Sequence, residues 1–141
     1  MVGGLQIADT NQNSWPSHLA WSNLYKVSPA HGWNPWLNLK DIQQPECIEL
    51  FKLEICTYRP TRLLFVTGFD EWARPFLEAL TARGEQPPNV KYVEQIGEIC
   101  LDGKANPIRF VVACRPEFRP RQEWLEDVIQ VIDNFWKELS P

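Results

Sequence analysis

A chain of 141 residues is the size of one domain. Its 44% hydrophobic and 23% charged residues are ordinary for a globular protein. No apolar run approaches the about 18 residues of a membrane span and no basic start precedes an apolar stretch, so a cytoplasmic protein without spans or signal peptide is expected. The net charge of −4 excludes a whole-protein basic field, and any anion must be met by a local basic cluster.

Residues 1–18 are polar and rich in Gly and Asn (Gly3, Gly4, Asn11, Asn13) and read as a loose N-terminal arm. One α/β domain over residues 19–141 is expected to follow. Leu19 to Tyr25 is a short apolar stretch that predicts a strand, ending in the turn formers Ser28, Pro29, Gly32, Asn34 and Pro35. Pro45 then suits the first turn of a helix, and Ile48, Phe51 and Ile55 recur at helical spacing until Arg59-Pro60.

Leu63 to Val66 is a continuous apolar run between Pro60 and Gly68, the pattern of a parallel strand buried on both faces. Gly68 makes a tight turn, Asp70 is a candidate helix cap, and Trp72, Phe76 and Leu80 continue a helix that Pro75 either kinks or starts. Gly84 to Asn89 reads as a loop, Val90 to Leu101 as one or two short strands closed by Asp102-Gly103. Ile108 to Ala113 is a second strongly apolar strand. Pro120 opens a last helix whose Trp124, Val128, Val131, Ile132, Phe135, Trp136 and Leu139 form one apolar stripe.

Strands and helices in this alternation build an open sheet covered by helices, and ligands bind such sheets outside the carboxyl ends of the strands. Three loops are expected there: those after Asn23, at Thr67-Gly68-Phe69-Asp70, and at Cys114-Arg115-Pro116. Asn23 can donate and accept at once, which suits reading the edge of a base, and Tyr25 and Lys26 add a ring and a charge. Arg115, Arg119 and Arg121 gather three charges within seven residues and suit a phosphate or carboxylate. The seven Trp and seven Phe either fill the core or line a groove where rings stack on bases. Cys47, Cys56, Cys100 and Cys114 have no metal-ligand spacing, so free thiols are expected, with neither a metal nor a cofactor.

The order of these features resembles the uracil-DNA glycosylase superfamily. Trp21-Ser22-Asn23-Leu24 is similar to the strand whose Asn reads uracil there. Gly32-Trp33-Asn34-Pro35 falls in the loop that follows. Arg62 to Gly68, with Phe69 to Ala73 after it, is similar to the strand-Gly-helix unit, and Phe110 to Pro116 to the last strand and its His-Pro motif. Arg115 stands at the position of that motif's His, and none of residues 1–18 forms the Gly-rich, acid-bearing loop that positions water in the family.

The resemblance implies a three-layer α/β fold with a short, mostly parallel sheet and a pocket for a planar group. It implies substrate contacts at Asn23, Tyr25, Lys26, Trp33, Asn34, Gly68 and Arg119, with Arg115 as the one residue placed to stabilise a departing base. The expected function is a catalytically impaired module that binds nucleic acid or a nucleobase. An active DNA glycosylase with a divergent site, or a truncated protein with only a structural or interaction role, are the alternatives. A first strand missing from the sheet leaves an edge that either the N-terminal arm or a second chain covers, and in the second case a homodimer is expected.

Overall fold

The structure is a computed structural model; it describes residues 19–101 and 106–137. The expected arm over residues 1–18, the Asp102-Gly103 turn and Leu139 lie outside the described residues. Within them the chain is a mixed α/β domain in the order α1 (Leu37–Tyr58), β1 (Arg62–Phe65), one π-helical turn (Phe69–Ala73) leading into α2 (Arg74–Ala79), β2 (Arg83–Glu85), β3 (Val93–Ile99), β4 (Ile108–Ala113) and α3 (Arg121–Lys137).

The strands form one open sheet ordered β1-β4-β3-β2. Only β1 and β4 run parallel, with Leu63 opposite Phe110 and Phe65 opposite Val112. The pairs β3–β4 and β2–β3 are antiparallel, so the expectation of a mostly parallel sheet is corrected. The reason is local. No helix intervenes between β2, β3 and β4, and short connections join antiparallel neighbours, whereas a parallel pair needs a long crossover.

Alternation along β4 sorts the core. Ile108, Phe110 and Val112 face α1 and α2, where they join Cys47, Phe51, Ile55, Phe65, Phe76 and Leu77. Val111 and Ala113 face α3, where they meet Trp124, Val128, Val131, Ile132 and Trp136. β4 is thus the strand buried on both faces. β1 is at the sheet's end; its Leu64 remains 40% exposed, and the expectation that β1 is covered on both sides is corrected.

Two further expectations fail. Gly84 was read as part of a loop, but Arg83–Glu85 is β2, with Gly84 opposite Gly97. An added Cβ on Gly97 would lie 2.0 Å from the Arg83 carbonyl oxygen and 2.7 Å from the Phe110 ring. The glycine pair therefore lets Phe110 reach across the sheet from β4. Helix α1 starts at Leu37 rather than at Pro45, which lies inside it. Pro45 removes one N–H from the helical ladder there, and the inward face of α1 consists of Lys40, Gln43, Cys47, Phe51 and Ile55.

Candidate functional site

The stretch Leu19 to Tyr25 forms no strand. It belongs to an extended segment held against α1 by side chains. Gln43 accepts from the Val27 N–H and donates to the Val27 carbonyl, both at 2.9 Å. The Tyr25 hydroxyl donates to Gln44 Oε1 at 3.1 Å. Ser22 Oγ and Lys26 Nζ both reach the Glu54 carboxylate, at 2.9 and 2.8 Å. These bonds hold the segment to α1 without a sheet neighbour. Asn23 is therefore not at the end of a strand; it is exposed, beside the Glu54 end of the helix.

Tyr25 is a core residue, 6% exposed, edge-on to Trp72 and Phe76 with ring centroids 5.5 and 5.4 Å away. Burial pushes its phenol up from the ordinary value, and Cys47 and Asp41 add to the shift. Lys26 is ion-paired with Glu54. Both thus have partners within the chain.

The other expected residues gather elsewhere, at the carboxyl ends of the parallel pair β1 and β4. Gly68 turns the chain out of β1 at φ 83°, a left-handed conformation that favours glycine. Its N–H donates to the Ala113 carbonyl at 3.0 Å, which ties the turn to the end of β4. The next N–H, that of Phe69, donates to Glu94 Oε2 at 2.5 Å. Glu94 comes from the start of β3, which lies at this end because β3 runs against β4. A carboxylate of the chain itself thus occupies the first N–H of the helical unit, a position that favours an anion.

The turn Phe69–Ala73 is π-helical, with the Ala73 N–H donating to the Gly68 carbonyl at 3.2 Å. It presents Trp72 between two cations. Lys40 Nζ lies 4.6 Å from the ring centroid and donates to the Glu71 carbonyl at 2.9 Å. The Arg115 guanidinium lies 4.3 Å from the same centroid. Arg115 also donates to Asn34 Oδ1 at 3.3 Å, joining the loop after β4 to the loop before α1. Next to Asn34 stands Trp33, 77% exposed, and Trp36 beyond it is 62% exposed.

Arg119 is exposed in the same β4–α3 loop, and its guanidinium faces the Cys114 thiol. Burial nevertheless pushes that thiol up from its ordinary value; Glu94 adds to the rise and Arg119 opposes it.

The structure therefore brings together Gly68, Asn34 and Arg115, with Trp33 beside them, and sets Asn23 apart. Sequence reasoning missed three members. Lys40 is buried on α1, Glu94 is half-buried on β3, and Trp72 was read only as a helix-face residue. Lys40 lies ahead of the stretch whose apolar spacing marked α1, so its inward position was not legible. Nothing in the sequence marked Glu94.

No group of three or more His, Cys, Asp or Glu is placed to hold a metal ion among the described residues. No described helix is long and apolar enough to cross a membrane. Comparison of the chain with protein-family models, with curated proteins and with solved structures finds no match.

Proposed function

We propose that the chain is a uracil-DNA glycosylase-like module that binds single-stranded nucleic acid or a nucleobase without cleaving it. The observation that carries this reading is Arg115. It is braced by the Trp72 ring and by Asn34, and the residue before Asn34 in the chain is the exposed Trp33. A fixed guanidinium meets a backbone phosphate, and an exposed indole in the same loop as Asn34 stacks on a neighbouring base. We read the fold in which this site sits as a three-layer arrangement; apolar clusters on the two faces of the sheet, one under α1 and α2 and one under α3, support that reading.

One observation supports binding without cleavage. Glu94, a half-buried carboxylate at this end of the sheet, has one oxygen held by the Phe69 N–H. Arg115 is engaged by Asn34 and would hold a phosphate rather than a departing base.

Titration of a fluorescent single-stranded oligonucleotide, followed by anisotropy, tests the reading. Binding is expected at low salt. Trp33→Ala is expected to weaken it by about ten-fold or more, the range of one lost base stack. Arg115→Gln is expected to weaken it and to flatten its salt dependence. Absence of binding at about 50 mM salt, where electrostatic contacts are strong, would overturn the proposal.

A further inference from the structure

We propose that the outer edge of β2 pairs with β2 of a second copy of this chain, antiparallel and centred on Gly84, to form a two-fold dimer. β2 ends the sheet, and no described strand pairs with its outer side. Arg83, Gly84 and Glu85 are all exposed. An edge strand presents unpaired N–H and C=O groups, and natural proteins blunt such edges with short strands and charges. On β2 the two charges are of opposite sign. Antiparallel pairing about Gly84 sets Arg83 opposite Glu85 of the second copy, and Glu85 opposite its Arg83. Opposite charges directly across a sheet attract.

The neighbouring strands extend the pattern. Arg83 already stands opposite Glu98 on β3, and Glu98 stands opposite Arg109 on β4, with Arg109 Nε 3.3 Å from Glu98 Oε1. Pairing would continue this row with Glu85 of the second copy, so that positive and negative charges alternate across four strands. The other sheet end offers no such match. β1 reads Arg62-Leu63-Leu64-Phe65, and no antiparallel self-pairing sets its single charge opposite an acid.

A two-fold normal to the sheet keeps α3 on one side in both copies. On that side an open concavity of about 560 Å³, lined by Arg83, Glu85, Ile96, Glu98 and Phe135, flanks β2. The dimer joins the two concavities into one trough across the axis. A three-residue strand buries less than the roughly 1,200 Å² of a stable interface, so the dimer exchanges rapidly and forms at high protein concentration.

Sedimentation equilibrium on the full chain up to about 1 mM, a concentration suited to weak association, tests this. The weight-average mass is expected to rise from 16.4 kDa toward twice that value. Arg83→Glu alone and Glu85→Arg alone are each expected to lower the association constant about ten-fold. The double variant, which restores opposite charges across the axis, is expected to recover it. Circular dichroism of each variant checks the fold, and Glu85→Arg leaves the Arg83–Glu98 register intact. A monomer at every concentration overturns the proposal. So does a dimer indifferent to both single variants, or a loss that the double variant fails to rescue.

Discussion

Gly97 is the residue at which the sheet has least room. The Cβ of any other amino acid there would meet backbone, the Arg83 carbonyl and the Gly84 Cα at 2.6 Å, and backbone yields far less readily than a side-chain tip. Gly97→Ala is therefore expected to cost about 3 kcal/mol by overpacking, read as a lowered denaturant midpoint. Truncating the Phe110 ring in the same protein should recover only part of the loss, because the carbonyl clash remains. Cys114 gives a second residue-scale expectation. Its thiol is pushed up by burial, so the folded state holds that proton more firmly than the unfolded chain does. The stability this contributes is fully present below the ordinary thiol range and is lost as pH rises through the raised folded value. Alkylation at mildly alkaline pH should accordingly label the exposed Cys56 and Cys100 before the buried Cys47 and Cys114.

Among the elements, α1 organises most of the molecule's irregular chain. Its inward side chains Lys40 and Gln43 are polar, which is why apolar periodicity reveals only the part of the helix from Ile48 onward. They are buried because each satisfies backbone that has no sheet neighbour: Gln43 serves both polar groups of Val27, and Lys40 serves the carbonyl of Glu71. Gln43→Leu is expected to leave the two Val27 groups unpaired and to cost about 2 kcal/mol. Hydrogen exchange should show residues 22–27 losing protection while β4 keeps its own. Equal loss in both would mean that the clamp is global rather than local. β2 was illegible for a different reason. Arg-Gly-Glu has no apolar periodicity, and its place in the sheet depends on Gly97 and Phe110, which are remote in sequence.

At the scale of the whole molecule, the net charge of −4 limits the proposed nucleic-acid contact to the few cations of one loop cluster. If Arg115 and Arg119 each meet one phosphate, the logarithm of affinity should fall against the logarithm of salt with a slope of about −1.4. A much steeper slope would point to a larger basic surface than the structure supplies. Incubation with uracil-containing DNA followed by alkali is expected to give no strand breaks; breaks lost in Arg115→Gln would establish turnover and displace the binding-only reading. The sequence by itself determined those parts whose signal lies within one stretch of chain. The run Ile108 to Ala113 is apolar at every position but Arg109 because β4 is covered on both faces, and the stripe from Trp124 to Trp136 is regular because α3 lies along one face of the sheet. It likewise marked Gly68 and the arginines after β4. Tertiary structure alone decided the rest. It chose side-chain clamps over strand pairing for the segment before α1. It set the antiparallel half of the sheet, and it brought Arg115 to Asn34 across 81 positions of the chain. Such long-range pairing depends on which surfaces meet after folding, and no local pattern of residues records it.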